Sequence, residues 1–427
     1  MWESMNKLTL TKWLAPLCLV GVMVGCSDDD DDNNDVINDD NRQALQSLLD
    51  QKRIEGNVPG ITLAIHQGGD ILTVTSGQAN TETGELFTPE TRVKVGSITK
   101  TFTSIVVLQL IEEGKLSFDD TLDMYLPNRL ENYNPEQQTI RKMLQHTSLI
   151  CNFTDVPPFN WAADAQTDPE MIWAPDELIN EVEPFFSEQC AEENTWLYSN
   201  TNYVILGEII EFITGNSYEV EITHRIIDRL GLTNTIVPNN FQDIDHLHSR
   251  GYLNGTENIK NGKPEQTWTQ TELEPLIDVS AVNQSFTWSS GSVLSTPTDI
   301  ARWVDAVGSG DMLSEEMQAE YQTTVNTTVA GGGIYFYGLG VMNVPMWDAW
   351  GHGGGHPGFD CGLWHISTHD VGIAVCENRT LSSHMRSDNF IVHEILDILF
   401  PEEDYPPMPD DADASVAPKS SLGYKYY

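Results

Sequence analysis

Val95-Gly96-Ser97-Ile98-Thr99-Lys100 opens a run that continues from Thr101 through Glu113 and stops at Gly114. Its apolar members Phe102, Ile105, Val106, Leu108, Leu110 and Ile111 fall nearly all round a 3.6-residue period. The spacing therefore predicts a helix over 97–113 that is deeply buried, with Gly114 as its C-terminal stop. Ser97 and Lys100 stand three residues apart, on one helix face, so the amine can lie beside the hydroxyl. A serine hydroxyl is a weak nucleophile that needs a base close by. A lysine desolvated in an apolar helix loses proton affinity and qualifies as that base. The helix start adds unpaired N–H groups and partial positive charge. On this segment alone, an N-capping role explains Ser97 equally well.

Two further stretches offer matching chemistry. Tyr198-Ser199-Asn200 supplies a phenol that becomes a general base once a nearby cation lowers its pKa, and an amide able to donate and accept. His352-Gly353-Gly354-Gly355, followed by His356-Pro357-Gly358, is a glycine-rich segment whose backbone another chain can approach closely. The backbone N–H groups of Ser97 and Gly355 would then form an oxyanion hole.

The chain outside these stretches has an unusual order. Asn41–Glu55 reads as an amphipathic helix, and 61–66 and 71–76 as two strands about a turn at 67–70. Residues 120–285, rich in Pro, Asn and aromatics, read as a mainly helical lobe with long loops. Pro297-Thr298-Asp299 opens another helix. Strands are expected at 335–342, 350–356, 359–367 and 371–377, then a helix over 388–400 and a disordered tail from 401 to 427. This describes one α/β lobe, an antiparallel sheet flanked by helices and built from both ends of the chain, with a helical lobe inserted. A cleft between lobes is the default place for a site.

The order Ser-x-x-Lys, Tyr-x-Asn, His-x-Gly resembles the family of class C β-lactamases, D-alanyl-D-alanine carboxypeptidases and related esterases. Leu110–Leu116, Ile140-Arg141 leading to His146-Thr147-Ser148, and Tyr337-Gly338-Leu339-Gly340 are similar to family segments too. The likeness covers 41–400 and implies the β-lactamase/transpeptidase-like fold. By that pattern Ser97 is acylated, Lys100 and Tyr198 move protons, Asn200 and His352 with Gly353 and Gly354 hold the substrate, and water releases the acyl group. A small molecule or peptide is the expected substrate, with no cofactor and no metal. The chain departs from the pattern in three places. Gly353 stands where a hydroxyl residue often helps grip a substrate carboxylate. Val341-Met342-Asn343 stands where some members place an Arg. His146-Thr147-Ser148-Leu149 lacks the glycine of the family's His-Thr-Ser-Gly-Leu segment. A weak carboxylate grip favours an esterase or a D-amino-acid amidase over an efficient carboxypeptidase or lactamase. A non-catalytic sensor that keeps the fold is the alternative from another class.

Residues 1–25 combine Lys7 and Lys12 with an apolar run from Leu14 to Gly25, too short to span a bilayer but suited to a signal peptide. Met23-Val24-Gly25-Cys26 resembles a bacterial lipoprotein cleavage box, which implies lipidation of Cys26. The acidic stretch within 26–40 then serves as a self-repelling tether. These features imply a bacterial envelope protein held to a membrane by its lipid; a monomer is expected. With 22 Lys+Arg against 64 Asp+Glu the net charge is −42, which excludes a phosphate-neutralising nucleic-acid binder. Of six cysteines, Cys151, Cys190, Cys361 and Cys376 remain beyond Cys26. Three pairings are open, and Cys151–Cys190 is favoured. Two rival motifs fail. His-Gly-Gly-Gly occurs in lipase-type hydrolases, but the G-x-S-x-G those enzymes need is absent from the sequence. His352, His356 and Asp360 have a metal-like spacing, but along a strand i and i+4 lie about 13 Å apart.

Overall fold

A computed structural model describes residues 35–156, 166–190, 196–238, 248–260, 263–268, 275–327, 336–380 and 391–406. The segment 1–25, Cys26, most of the 26–40 tether and the tail 407–427 lie outside these residues. The chain from Val36 onward forms one compact unit.

Asn38 caps the first helix, α1 (Asp39–Glu55), its side-chain oxygen accepting from the Asn41 N–H at 2.8 Å. Asp39 and Asp40 in the first turn and Lys52 and Arg53 in the last complement the helix dipole. β1 (Gly60–Gln67) and β2 (Asp70–Asn80) then form a hairpin across Gly68-Gly69, both at positive φ, as a two-residue hairpin loop requires. β3 (Glu85–Leu86) extends that edge. The other strands of the main sheet come from the far end of the chain: β4 (Val325–Asn326), β5 (Phe336–Tyr337), β6 (Met342–Val344), β7 (Ala349–His356), β8 (Phe359–Ile366) and β9 (Val371–Glu377). The spatial order is β3-β2-β1-β9-β8-β7-β6-β5-β4, with every pair antiparallel.

Alternation sends the two faces to different partners. Ile61, Leu63, Ile65, Ile373 and Val375 pack with Leu45, Leu48 and Leu49 of α1 and Ile395 and Leu396 of α5 (Val392–Leu399). Ala64, Leu363, Ala374 and Cys376 face the buried helix α2 (Thr99–Glu112) and α4 (Pro297–Gly308). Small residues let α4 close on the sheet: a Cβ at Gly372 would stand 2.9 Å from the Ala301 carbonyl. Full burial of each Leu or Ile contributes roughly 1.5–3 kcal/mol. The inserted region carries α3 (Asn200–Thr214) and several short helices.

Five expectations shift. Ser97 lies in a 3₁₀ turn, Gly96–Ile98, ahead of α2, and no side-chain cap bond is made there. The capping explanation for Ser97 therefore fails. The helical reading of 120–285 stops short, since Tyr252–Lys260, Lys263–Trp268 and Leu276–Asp278 form a three-stranded sheet. The single strand expected at 335–342 is two, because Gly338 and Gly340 turn the chain, Gly340 at φ +96°. The tail does not begin at 401: Tyr405 is buried, its hydroxyl 2.9 Å from His369 Nε2, and Trp347 Nε1 donates to the Pro406 carbonyl at 2.9 Å. At the other end Val36 is buried, its N–H donating to Gln67 Oε1, so the tether ends before residue 36.

Candidate active site

The turn carrying Ser97 is pressed onto β7. Gly96 sits at φ +53°, and a Cβ there would overlap the backbone of Gly355. A Cβ at Gly354 would overlap the Val95 carbonyl. The glycine run in 353–355 is thus the contact that sets the serine against the strand, and Gly355 itself remains half-buried beside it.

α2 projects Lys100 from the same turn into a fully buried position. Its Nζ lies 3.0 Å from Ser97 Oγ, 2.6 Å from Asn200 Oδ1 and 2.9 Å from the Ser290 carbonyl. Burial holds its pKa well below the usual lysine value. A neutral amine has two N–H groups and one lone pair. Asn200 Oδ1 and the Ser290 carbonyl accept only, so they take both N–H groups. The lone pair is left for the Ser97 O–H.

Asn200 starts α3, and Tyr198 precedes it by two residues. Both are set by a loop that the disulfide Cys151–Cys190 ties down. The Cys151 carbonyl accepts from Ser199 Oγ at 3.1 Å and Thr201 Oγ1 at 2.7 Å, and Asn152 Oδ1 accepts from the Asn200 N–H at 3.1 Å. The half-buried Tyr198 ring stands 4.8 Å from Lys100 Nζ. A second disulfide joins Cys361 and Cys376 across β8 and β9.

His352 is buried, and both ring nitrogens are engaged. Nδ1 meets the Gly353 carbonyl, and Nε2 lies 3.0 Å from the Tyr337 hydroxyl. Tyr337 is in turn 3.2 Å from His146 Nε2, and His146 Nδ1 accepts from the Ser199 N–H at 3.1 Å. That last bond fixes the tautomer. His146 carries its proton on Nε2 and donates to Tyr337; Tyr337 donates to His352 Nε2; His352 carries its proton on Nδ1. Burial lowers His352 to about 3, with a smaller contribution from Lys100 only when that amine is protonated, so the ring is neutral. Burial likewise holds His146 well below the ordinary histidine value.

The structure therefore brings Ser97, Lys100, Tyr198, Asn200, His352 and the Gly353–Gly355 strand into one cluster. His146 and Tyr337 belong to the same network. Both stand in segments noted for their resemblance, but no motif marked either as a site residue. Ser290, which contributes only a carbonyl, left no signal in the sequence. His352 and His356 lie four residues apart on one extended strand and do not converge.

A folded core of this kind, with a serine and a buried lysine beside a glycine-rich strand, defines the β-lactamase-fold serine hydrolases. The family model described as Beta-lactamase matches residues 44–397, and the chain belongs to that family. A D-stereospecific amidohydrolase from Streptomyces sp. superposes with a TM-score of 0.70 at 27% identity, over 85% of this chain and 99% of that one. Protein flp of Staphylococcus aureus is 27% identical over 46% of this chain and 38% of its own length. Penicillin-binding protein 4 of Amycolatopsis lactamdurans is 28% identical over 44% and 47%. The chain spans less than half the length of these two curated relatives.

Proposed function

We propose that the protein hydrolyses an ester or an amide, such as a D-amino-acid amide, a short D-peptide or a cell-wall fragment, through an acyl-enzyme on Ser97. The observation that carries this is the donor count at Lys100, which reserves its lone pair for the serine proton. Ser97 Oγ attacks the carbonyl carbon while its proton passes to Lys100 Nζ. The N–H groups of Ser97 and Gly355 take the oxyanion. The bond to the leaving group breaks, and that group receives a proton through Tyr198. Water then attacks the acyl carbon and restores Ser97. The buried His146–Tyr337–His352 chain holds β7 in place beside the substrate strand. The likeness to a D-stereospecific amidohydrolase supports the amide side of the reading. Gly353 and Val341-Met342-Asn343, which offer neither hydroxyl nor guanidinium for a carboxylate, count against D-alanyl-D-alanine carboxypeptidase or β-lactamase activity.

The protein works at a bacterial cell envelope, held by a lipid on Cys26. Two disulfides in the folded unit support an oxidising compartment.

The test is a parallel assay on p-nitrophenyl esters, D-amino-acid amides, D-alanyl-D-alanine peptides and nitrocefin, with fluorophosphonate labelling of wild type and Ser97→Ala. Turnover of esters or D-amides, and a label lost in Ser97→Ala, are expected. Trimming of D-alanyl-D-alanine with esters ignored would reverse the substrate preference. No label and no turnover would leave a sensor that keeps the fold.

A further inference from the structure

The end of the sheet remote from Ser97 holds a second cluster of ionisable side chains. His365 lies near the end of β8, Asp305 on α4, Asp370 in the turn between β8 and β9, and His66 near the end of β1. One nitrogen of His365 and one oxygen from each of Asp305 and Asp370 all lie within 4.8 Å of one another. His66 Nδ1 stands 3.2 Å from Asp305 Oδ2.

His365 lacks the partners that burial normally demands. His365 is only 4% exposed. Its Nδ1 is shut off from solvent and has no hydrogen-bonding partner. Its Nε2 points to Asp370 Oδ1 at 3.7 Å, beyond hydrogen-bonding reach. Gly308 of α4 fixes the ring, since a Cβ there would overlap it. An imidazole held rigidly and left without a partner is unfavourable unless something else satisfies it. Two carboxylates facing that ring also repel each other, and the Asp348 carboxylate adds to the negative field. A cation at the Nε2 side of the ring, between the two carboxylates, relieves their repulsion and gives Nε2 the partner it lacks.

We propose that His365, Asp305 and Asp370 bind a divalent transition-metal ion, with His66 orienting Asp305 from behind. One imidazole with two carboxylates suits a borderline ion such as Zn²⁺, whereas Ca²⁺ and Mg²⁺ prefer oxygen ligands alone. Zinc–ligand distances of about 2.0–2.2 Å require the three atoms to draw somewhat closer. Asp370, with its side chain 74% exposed, is free to make that movement. Burial keeps His365 below the ordinary histidine value, hence neutral and competent as a ligand.

The role is structural. His365 lies five residues along β8 from Asp360, the partner of Gly355, or about 17 Å of strand. The ion clamps α4 to β8 and to the β8–β9 turn. Trp303 of α4 stacks on Phe102 of α2 at 4.3 Å and donates to Thr101 Oγ1 at 2.8 Å. Clamping α4 therefore steadies the helix that carries Lys100.

The test titrates Zn²⁺ into the chelator-stripped full chain by calorimetry and follows thermal melting with and without the ion. One equivalent bound and a raised Tm are expected, with no comparable rise in Ca²⁺. Asp370→Asn, which alters an exposed side chain and leaves the core intact, and Asp305→Asn should each weaken binding by at least about fivefold and shrink the Tm shift. His369→Ala, beside the cluster but outside it, should leave both unchanged. Overturning results are the absence of stoichiometric Zn²⁺ binding, a smaller loss in both Asp variants, or an equal response to Ca²⁺.

Discussion

Two buried lysines six residues apart have different work. Lys94, just before the turn that carries Ser97, is 1% exposed and donates to the carbonyls of Ser280 at 2.9 Å and Val282 at 2.7 Å. Lys100, just after the turn, also meets two acceptor-only oxygens and, beside them, the Ser97 hydroxyl. A carbonyl has no proton to give, so Lys94 is a clip between two chain segments. A hydroxyl has one, and this makes Lys100 a base. Burial alone does not make a lysine catalytic; a partner able to hand over a proton does.

Substituting each lysine separates the two cases most widely. Lys100→Ala should slow acylation by on the order of 10³-fold, read as the rate of fluorophosphonate labelling. A loss within about tenfold would remove Lys100 from proton transfer. The acidic limb of kcat/KM in the wild type should fall as pH drops through the lowered Lys100 pKa, because the neutral amine is the active form. Lys94→Met should leave labelling within about tenfold of wild type. It should destabilise the fold by about 3 kcal/mol, seen in the urea midpoint, because two carbonyls lose a donor.

A second contrast sets His352 against a histidine in the unfolded chain. Its folded pKa is about 3, below the ordinary 6.5. Between these values the unfolded state binds a proton that the folded state refuses. The corresponding stability is present above pH ~6.5 and is lost as pH falls toward about 3, by about 1.4 kcal/mol per pH unit. In His352→Gln the slope of stability against pH in this window should be shallower by one proton. An unchanged slope would mean that the ring is already charged in the fold.

The smallest expected effect concerns Leu149. It sits at φ +59°, the left-handed region that glycine favours, at the position where the family's segment carries its glycine. The backbone there is left-handed although the residue carries a branched side chain. Leu149→Gly should raise stability by up to about 1 kcal/mol in the urea midpoint. A loss of stability would show that the contacts of the leucine outweigh its strain.

The stretches that were legible in the sequence share one property, a local pattern that matches the tertiary role. Helix α2 is apolar all round because it is buried all round. The strands β7 to β9 alternate or run apolar as a covered sheet requires. Ser97, Lys100, Tyr198, Asn200 and His352 were readable because each sits in a short fixed-order motif. Tyr252–Lys260 was not, because Asn254, Gly255, Thr256, Glu257 and Asn258 carry neither alternation nor β-branched density. The two-residue strands beside Tyr337 are too short for any period to show. The His146–Tyr337–His352 chain joins three distant segments through single atoms, and no spacing encodes such a contact.

The central pairing of β1 with β9 sets a schedule for folding. Ile61 bonds alongside Glu377, a loop closure of roughly 310 residues. At about 5–20 residues per second, the ribosome delivers the second strand roughly 15–60 s after the first. Throughout that interval the β1–β2 hairpin presents a hydrophobic edge with no neighbour. The nascent chain must be kept apart from its own copies until its last strands arrive, so expression yield should depend on chaperone supply more than on the stability of the finished fold.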